Sequence, residues 1–172
     1  MSFEEGSQIT EIGENAFFKC QSLNNVIFPK KLKFINNYAF GNCTSLTTLN
    51  IPSTVNILNI RCFQECKNLK NINTFWTTEE VNNLRPLRAS FADIESLTIN
   101  YFVNENDDAD KLLEVYKAKF TLERTLAKHV EFRRANPNIN IGAILGGVFG
   151  LIAAIGLIAG GVVFYNKKHN KK

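Results

Sequence analysis

Hydrophobic positions recur through the first half of the chain at a fixed interval of 23 residues. Phe17, Phe40 and Phe63 are one interval apart, as are Cys20, Cys43 and Cys66, and Leu23, Leu46 and Leu69. The same step links Ile9, Leu32 and Val55; Ile12, Ile35 and Leu58; and Val26, Leu49 and Ile72. Pro29 and Pro52 form a further column, which Phe75 breaks. Within one copy, Leu23, Val26 and Phe28 follow an L-x-x-L-x-L spacing; Leu46, Leu49 and Ile51 repeat it, and Leu69, Ile72 and Thr74 do so more weakly. The alternating pair in each copy marks a short strand with one buried face. The proline after it lacks an N–H and ends the ladder. One such unit cannot bury its own apolar face, so the copies are expected to stack as a β-rich solenoid.

Downstream of the third copy, Phe91, Ile94, Leu97 and Ile99 suggest a fourth, degenerate copy after an insertion around Trp76–Pro86. Two registers are open for it, one of which puts Phe91 in the Phe17 column. A capping role is expected for this atypical copy. Asn106-Asp107-Asp108-Ala109-Asp110 is a helix start with acidic groups in the first turn. Leu112, Leu113, Val115, Tyr116, Phe120, Leu126 and Val130 then keep helical spacing to about Arg134, and Asn136-Pro137 closes the element. That helix either docks on the solenoid end or, on a heptad pattern weakened by Glu123, forms a dimerising stalk.

Hydrophobicity changes abruptly at Ile141. Residues 141–165 carry no charge, amide or proline, and as a helix they span about 37 Å, enough for a hydrocarbon core of about 30 Å. Phe164 and Tyr165 stand where an interfacial aromatic belt would be, and four lysines follow in 166–172. A single C-terminal transmembrane helix is therefore expected, with 166–172 as a basic cytoplasmic tail. Arg124, Lys128, Arg133 and Arg134 on the other flank leave the orientation nearly balanced. Gly142, Gly146, Gly150 and Ala154 form a small-residue ridge, with Gly156 and Gly160 as a further pair. Such ridges let two helices approach closely in lipid, so self-association through the span is expected.

The pattern I-x-x-I-x-x-x-A-F-x-x-C-x-x-L-x-x-[VLI]-x-[FI]-P resembles the BspA-like, or Treponema-type, leucine-rich repeat. Residues 9–31, 32–54 and 55–74 carry it, with Cys62 in place of Ala and with Thr74 and Phe75 in place of the apolar-Pro end. The resemblance implies a leucine-rich repeat solenoid of about three to four 23-residue repeats and a role in adhesion to host cells, matrix proteins or other microbes at a cell surface. The expected organisation is a partial N-terminal edge at 1–8, three repeats over 9–74, the degenerate capping repeat over 75–102, a juxtamembrane helix over 103–137, the span over 141–165, and the tail.

Composition adds little chemistry. The net charge of +4 comes largely from the tail lysines and points to anionic lipid rather than nucleic acid. His129 and His169 have no partners suited to proton transfer, and no phosphate-binding loop, nucleophile elbow or zinc-protease motif occurs. No catalytic residue, metal site or cofactor is expected. Cys20, Cys43 and Cys66 stand at equivalent rung positions and are expected as a buried column of small apolar side chains, without a disulfide. Alternation along the strands leaves Asn25, Ile27, Thr48, Asn50, Asn71 and Asn73 facing outward as the candidate binding face. The protein ligand stays unnamed. Asn42-Cys43-Thr44 is a glycosylation acceptor triplet.

The plasma membrane with the repeats outside is the expected location. A tail-anchored scaffold facing the cytosol is the alternative, because Met1-Ser2-Phe3-Glu4-Glu5 does not read as a signal peptide. A truncated fragment of a longer surface protein is a second alternative.

Overall fold

A computed structural model describes residues 1–4, 6–85, 87, 89–104, 106–120 and 127–135. The 23-residue interval becomes two parallel sheets. One joins β1 (Glu11–Ile12), β2 (Phe34–Ile35) and β4 (Ile57–Leu58); the other runs in the order β3 (Thr48–Ile51), β5 (Asn71–Thr74), β6 (Ser96–Phe102) and β7 (His129–Ala135). Partners lie one interval apart, as in Phe34↔Ile57 and Leu49↔Ile72. Inward residues Leu49, Ile51, Ile72, Thr74, Leu97 and Ile99 are buried, while Thr48, Asn50, Asn71 and Asn73 are half-buried on the outer face.

A third ladder closes each rung on its turn side. The N–H groups of Asn15, Phe17 and Lys19 donate to the carbonyls of Asn37, Ala39 and Gly41 at 3.1, 2.7 and 2.8 Å. Tyr38, Phe40 and Asn42 donate likewise to Ile60, Cys62 and Gln64 at 3.2, 2.8 and 2.7 Å. To aim alternate amides at the next rung, each copy holds two residues in the left-handed region four apart: Asn15 and Lys19, Tyr38 and Asn42, Arg61 and Glu65, Ala89 and Asp93. Only asparagine and aspartate tolerate that region readily among these types.

Inside the turns, Phe17, Phe40, Phe63 and Phe91 stack at centroid separations of 5.1, 5.5 and 5.5 Å, with rings within 12° of parallel. Phe40, Phe63 and Phe91 are fully buried. This stack fixes the register that the sequence leaves open, because Phe91 continues the Phe17 column. The insertion before it carries helix α1 (Thr78–Asn83), started by a capping box between Thr77 and Glu80.

Three expectations need correction. The copy over 75–102 is not a cap: β6 lies inside its sheet, paired with β5 on one side and β7 on the other. Its strand is an interior rung because Leu97 and Ile99 have apolar partners in Val130 and Phe132. The segment 103–137 is not one helix. Helix α2 (Ala109–Phe120) occupies its first part, and His129–Ala135 forms β7 in register with Ser96–Phe102. In that register Val130 and Phe132 lie beside Leu97 and Ile99 and pack against the core. Cys20 does not join the buried column; it is exposed on the first rung, whereas Cys43, Cys62 and Cys66 are buried. Asn25 and Ile27 lie in no named strand, Ile27 making an isolated bridge to Ser2, while Asn25–Phe28 keeps the same half-buried and buried alternation as β3 and β5.

Residues 1–3 cover part of the first rung. Ile27 N–H donates to the Met1 carbonyl at 3.0 Å, and the Met1 ammonium donates to the Asn25 carbonyl at 2.8 Å. The turn side of the same rung stays open, with Ile9 40% and Phe18 41% exposed.

At the other end α2 closes the core. Leu112, Tyr116 and Phe120 are fully buried. Tyr116 packs on Tyr101 at 5.4 Å and shares a 2.7 Å hydroxyl contact with Thr74, while Phe120 meets Phe91 at 6.3 Å and Phe132 at 6.5 Å. Asp107 ties the approach to α2 onto α1: its Oδ1 accepts from the N–H and hydroxyl of Thr78 at 3.2 and 3.1 Å. Among the described residues no helix is long and apolar enough to cross a membrane. The expected span 141–165 and the tail 166–172 lie outside the described residues.

Candidate binding face

Three rows of side chains line the outer face of the four-stranded sheet, each fixed by the parallel register. The first is Thr48, Asn71, Thr98 and Glu131; the second is Asn50, Asn73, Asn100 and Arg133. Two positions further along the strands, Phe75 and Phe102 stack at 4.5 Å. The expected residues Thr48, Asn50, Asn71 and Asn73 are thus brought together, and Thr98, Asn100 and the two phenylalanines join them. Asn25 and Ile27, one 23-residue interval before Thr48 and Asn50, are bonded to Met1 and bridged by Ser2.

The two polar rows differ in what their side chains already do. Asn73 donates its amide to Asn50 Oδ1 at 2.6 Å and accepts from Asn100 Nδ2 at 2.8 Å. This asparagine ladder satisfies itself and stitches three rungs, with Asn100 only 4% exposed. Parallel stitching runs elsewhere: Asn59 donates to Asn36 at 2.7 Å, and Asn36 donates in turn to Glu11. By contrast, Thr48, Asn71 and Thr98 are half-buried and make no side-chain hydrogen bond among the described residues. Their amide and hydroxyls are the groups open to a partner. At the row's end, the Arg133 guanidinium grips Glu131 through two bonds at 2.9 and 3.0 Å.

Cys43, Cys62 and Cys66 belong to the core. Cys43 Sγ donates to the Phe17 carbonyl at 3.1 Å and Cys66 Sγ to the Phe40 carbonyl at 3.2 Å, so each thiol reaches back one rung. Burial lifts Cys43 from 9.0 to about 11 and Cys66 to about 12, and it pushes Cys62 up further. Such thiols stay protonated and are poor nucleophiles. Among the described residues no three His, Cys, Asp or Glu side chains are placed to hold a metal ion. Asn42 is half-buried in the left-handed region between buried Gly41 and Cys43. The glycine ridge Gly142, Gly146, Gly150, Ala154, Gly156 and Gly160 lies outside the described residues.

Residues 1–107 match the family model described as BspA type leucine rich repeat region (6 copies). The chain belongs to the BspA-type leucine-rich repeat family. The match covers the stacked rungs through β6, while α2 and β7 lie beyond it. No curated protein matches this BspA-type chain. A crystal structure of a leucine-rich repeat protein from Bacteroides ovatus is similar over 74% of this chain and 28% of its own, with 25% identity and a TM-score of 0.41. The chain thus spans little more than a quarter of that protein's length.

Asn100 and Thr98 escape a search at the 23-residue interval because the insertion displaces them by 27 from Asn73 and Asn71. The asparagine type repeated at Asn50, Asn73 and Asn100 was the signal that could have found the ladder.

Proposed function

We propose that this protein is a non-enzymatic recognition module, anchored in the plasma membrane by 141–165 and displaying its solenoid outside the cell for adhesion to host, matrix or microbial proteins. The observation that carries the reading is the open row Thr48, Asn71 and Thr98, held rigid beside an asparagine ladder that needs no partner. Uncharged donors and acceptors on a pre-formed sheet suit hydrogen bonding to an extended polypeptide at little ordering cost. The face is small against a standard interface of about 800 Å² per partner, so firm adhesion requires many copies on one surface.

Cells displaying the chain, layered on immobilised matrix proteins, test the reading. Adhesion should appear with the wild type and disappear with T48E/N71E/T98E, while N50A, which truncates the self-satisfied ladder, keeps most of it. Equal adhesion by wild type and triple variant at equal surface levels removes the row as the binding site.

A further inference from the structure

We propose that two copies of the chain pair through the outer edge of β7, antiparallel about Phe132, into one continuous sheet at the membrane. The inference deepens the anchored reading above and rests on 141–165 being a span. β7 is last in the order β3-β5-β6-β7, so among the described residues it has a strand partner on one side only. Among the described residues the outer edge of these seven residues has no strand partner, and its N–H and C=O groups are ones that a second strand can satisfy.

Charge selects both the occupant and the register. Along this edge Lys128 is paired with Glu95 at 2.6 Å and Arg133 with Glu131, while His129 and Arg134 are exposed. A strand antiparallel to this one and centred on Phe132 sets Glu131 opposite the partner's Arg133, and Arg133 opposite the partner's Glu131. The two in-chain ion pairs then face each other head to tail as a square of alternating charge. Centring on Glu131 instead would oppose two glutamates and carry a penalty. A two-fold axis makes the contact isologous, so it closes at two copies.

Distance brings the edges together. Only 136–140 separate Ala135 from Ile141, so six Cα steps hold the end of β7 within about 20 Å of the span even at full extension. Two spans packed along the ridge of Gly142, Gly146, Gly150 and Ala154 would keep the two β7 strands at high effective concentration.

The test is amide hydrogen exchange over 128–135 with the full chain in phosphatidylcholine nanodiscs carrying one copy or two. The two-copy discs should slow these amides about tenfold or more relative to one copy, while core amides at Leu49 and Ile72 stay unchanged. E131R or R133E alone should abolish the slowing, because each puts like charges across the axis, and E131R/R133E should restore it. Equal exchange in both discs overturns the pairing and leaves the span standing, as does failure of the double variant to restore it. Slowing already complete with one copy means that lipid covers the edge and also overturns it. A chain that does not enter the discs overturns the span and the pairing with it.

Discussion

Asn73 and Asn71 are two positions apart on β5 and face the same way, yet their side chains do different work. Asn73 is bonded on both sides within the ladder, whereas Asn71 is open. Asn73→Ala should lower the unfolding free energy by about 1–2 kcal/mol, since it removes two bonds and strands part of Asn100. Asn71→Ala should stay within about 0.5 kcal/mol of wild type. Urea unfolding of the two variants separates these roles. The buried thiols give a second residue-scale expectation. Cys43 and Cys66 have folded values of about 11 and 12 against 9.0 in the open chain. Between those values the unfolded state has lost protons that the folded state keeps, so stability is full below about pH 9 and falls as pH rises. The slope approaches about 1.4 kcal/mol per pH unit for each such thiol. Chemical denaturation from pH 8 to 11 measures it, and Cys66→Ala should flatten the slope.

At the scale of elements, the repeat was legible because each column has its own steric duty. Phenylalanine in the stack, Cys43 and Cys66 reaching back to the previous rung and leucine behind the strand sit where the spacing put them, whereas Cys20 is exposed. The left-handed residues were not legible, because Tyr38, Arg61 and Glu65 carry no mark of that backbone and are held there by the rung-to-rung ladder. β7 was hidden for a different reason. Phe120, Leu126 and Val130 extend the helical spacing of α2, while the alternation in His129–Ala135 matters only once β6 offers a partner. The cap itself hangs on Phe120, which meets Phe91, Tyr116, Trp76 and Phe132. Phe120→Ala should cost about 3–5 kcal/mol. The loss should release α2 and β7 first, so amide protection of Ile99 should fall more than that of Ile35.

For the whole molecule, a core that runs from Ile12 to Phe120 makes the described residues one stacked unit with unlike ends. The first rung is open on its turn side, and the last is closed by α2 and β7. The stitched outer face keeps its open row in one register from rung to rung, which would suit display of many identical copies if 141–165 anchors the chain as proposed. On the proposed anchored reading, display depends on which side of the membrane holds the rungs, and the flanking charges nearly balance. Protease treatment of intact cells carrying distinct epitopes before Met1 and after Lys172 decides it. With the rungs outside, the N-terminal epitope is removed while the C-terminal one survives in the membrane fraction. An N-terminal epitope that persists while control surface proteins are digested would contradict it and place the rungs in the cytosol.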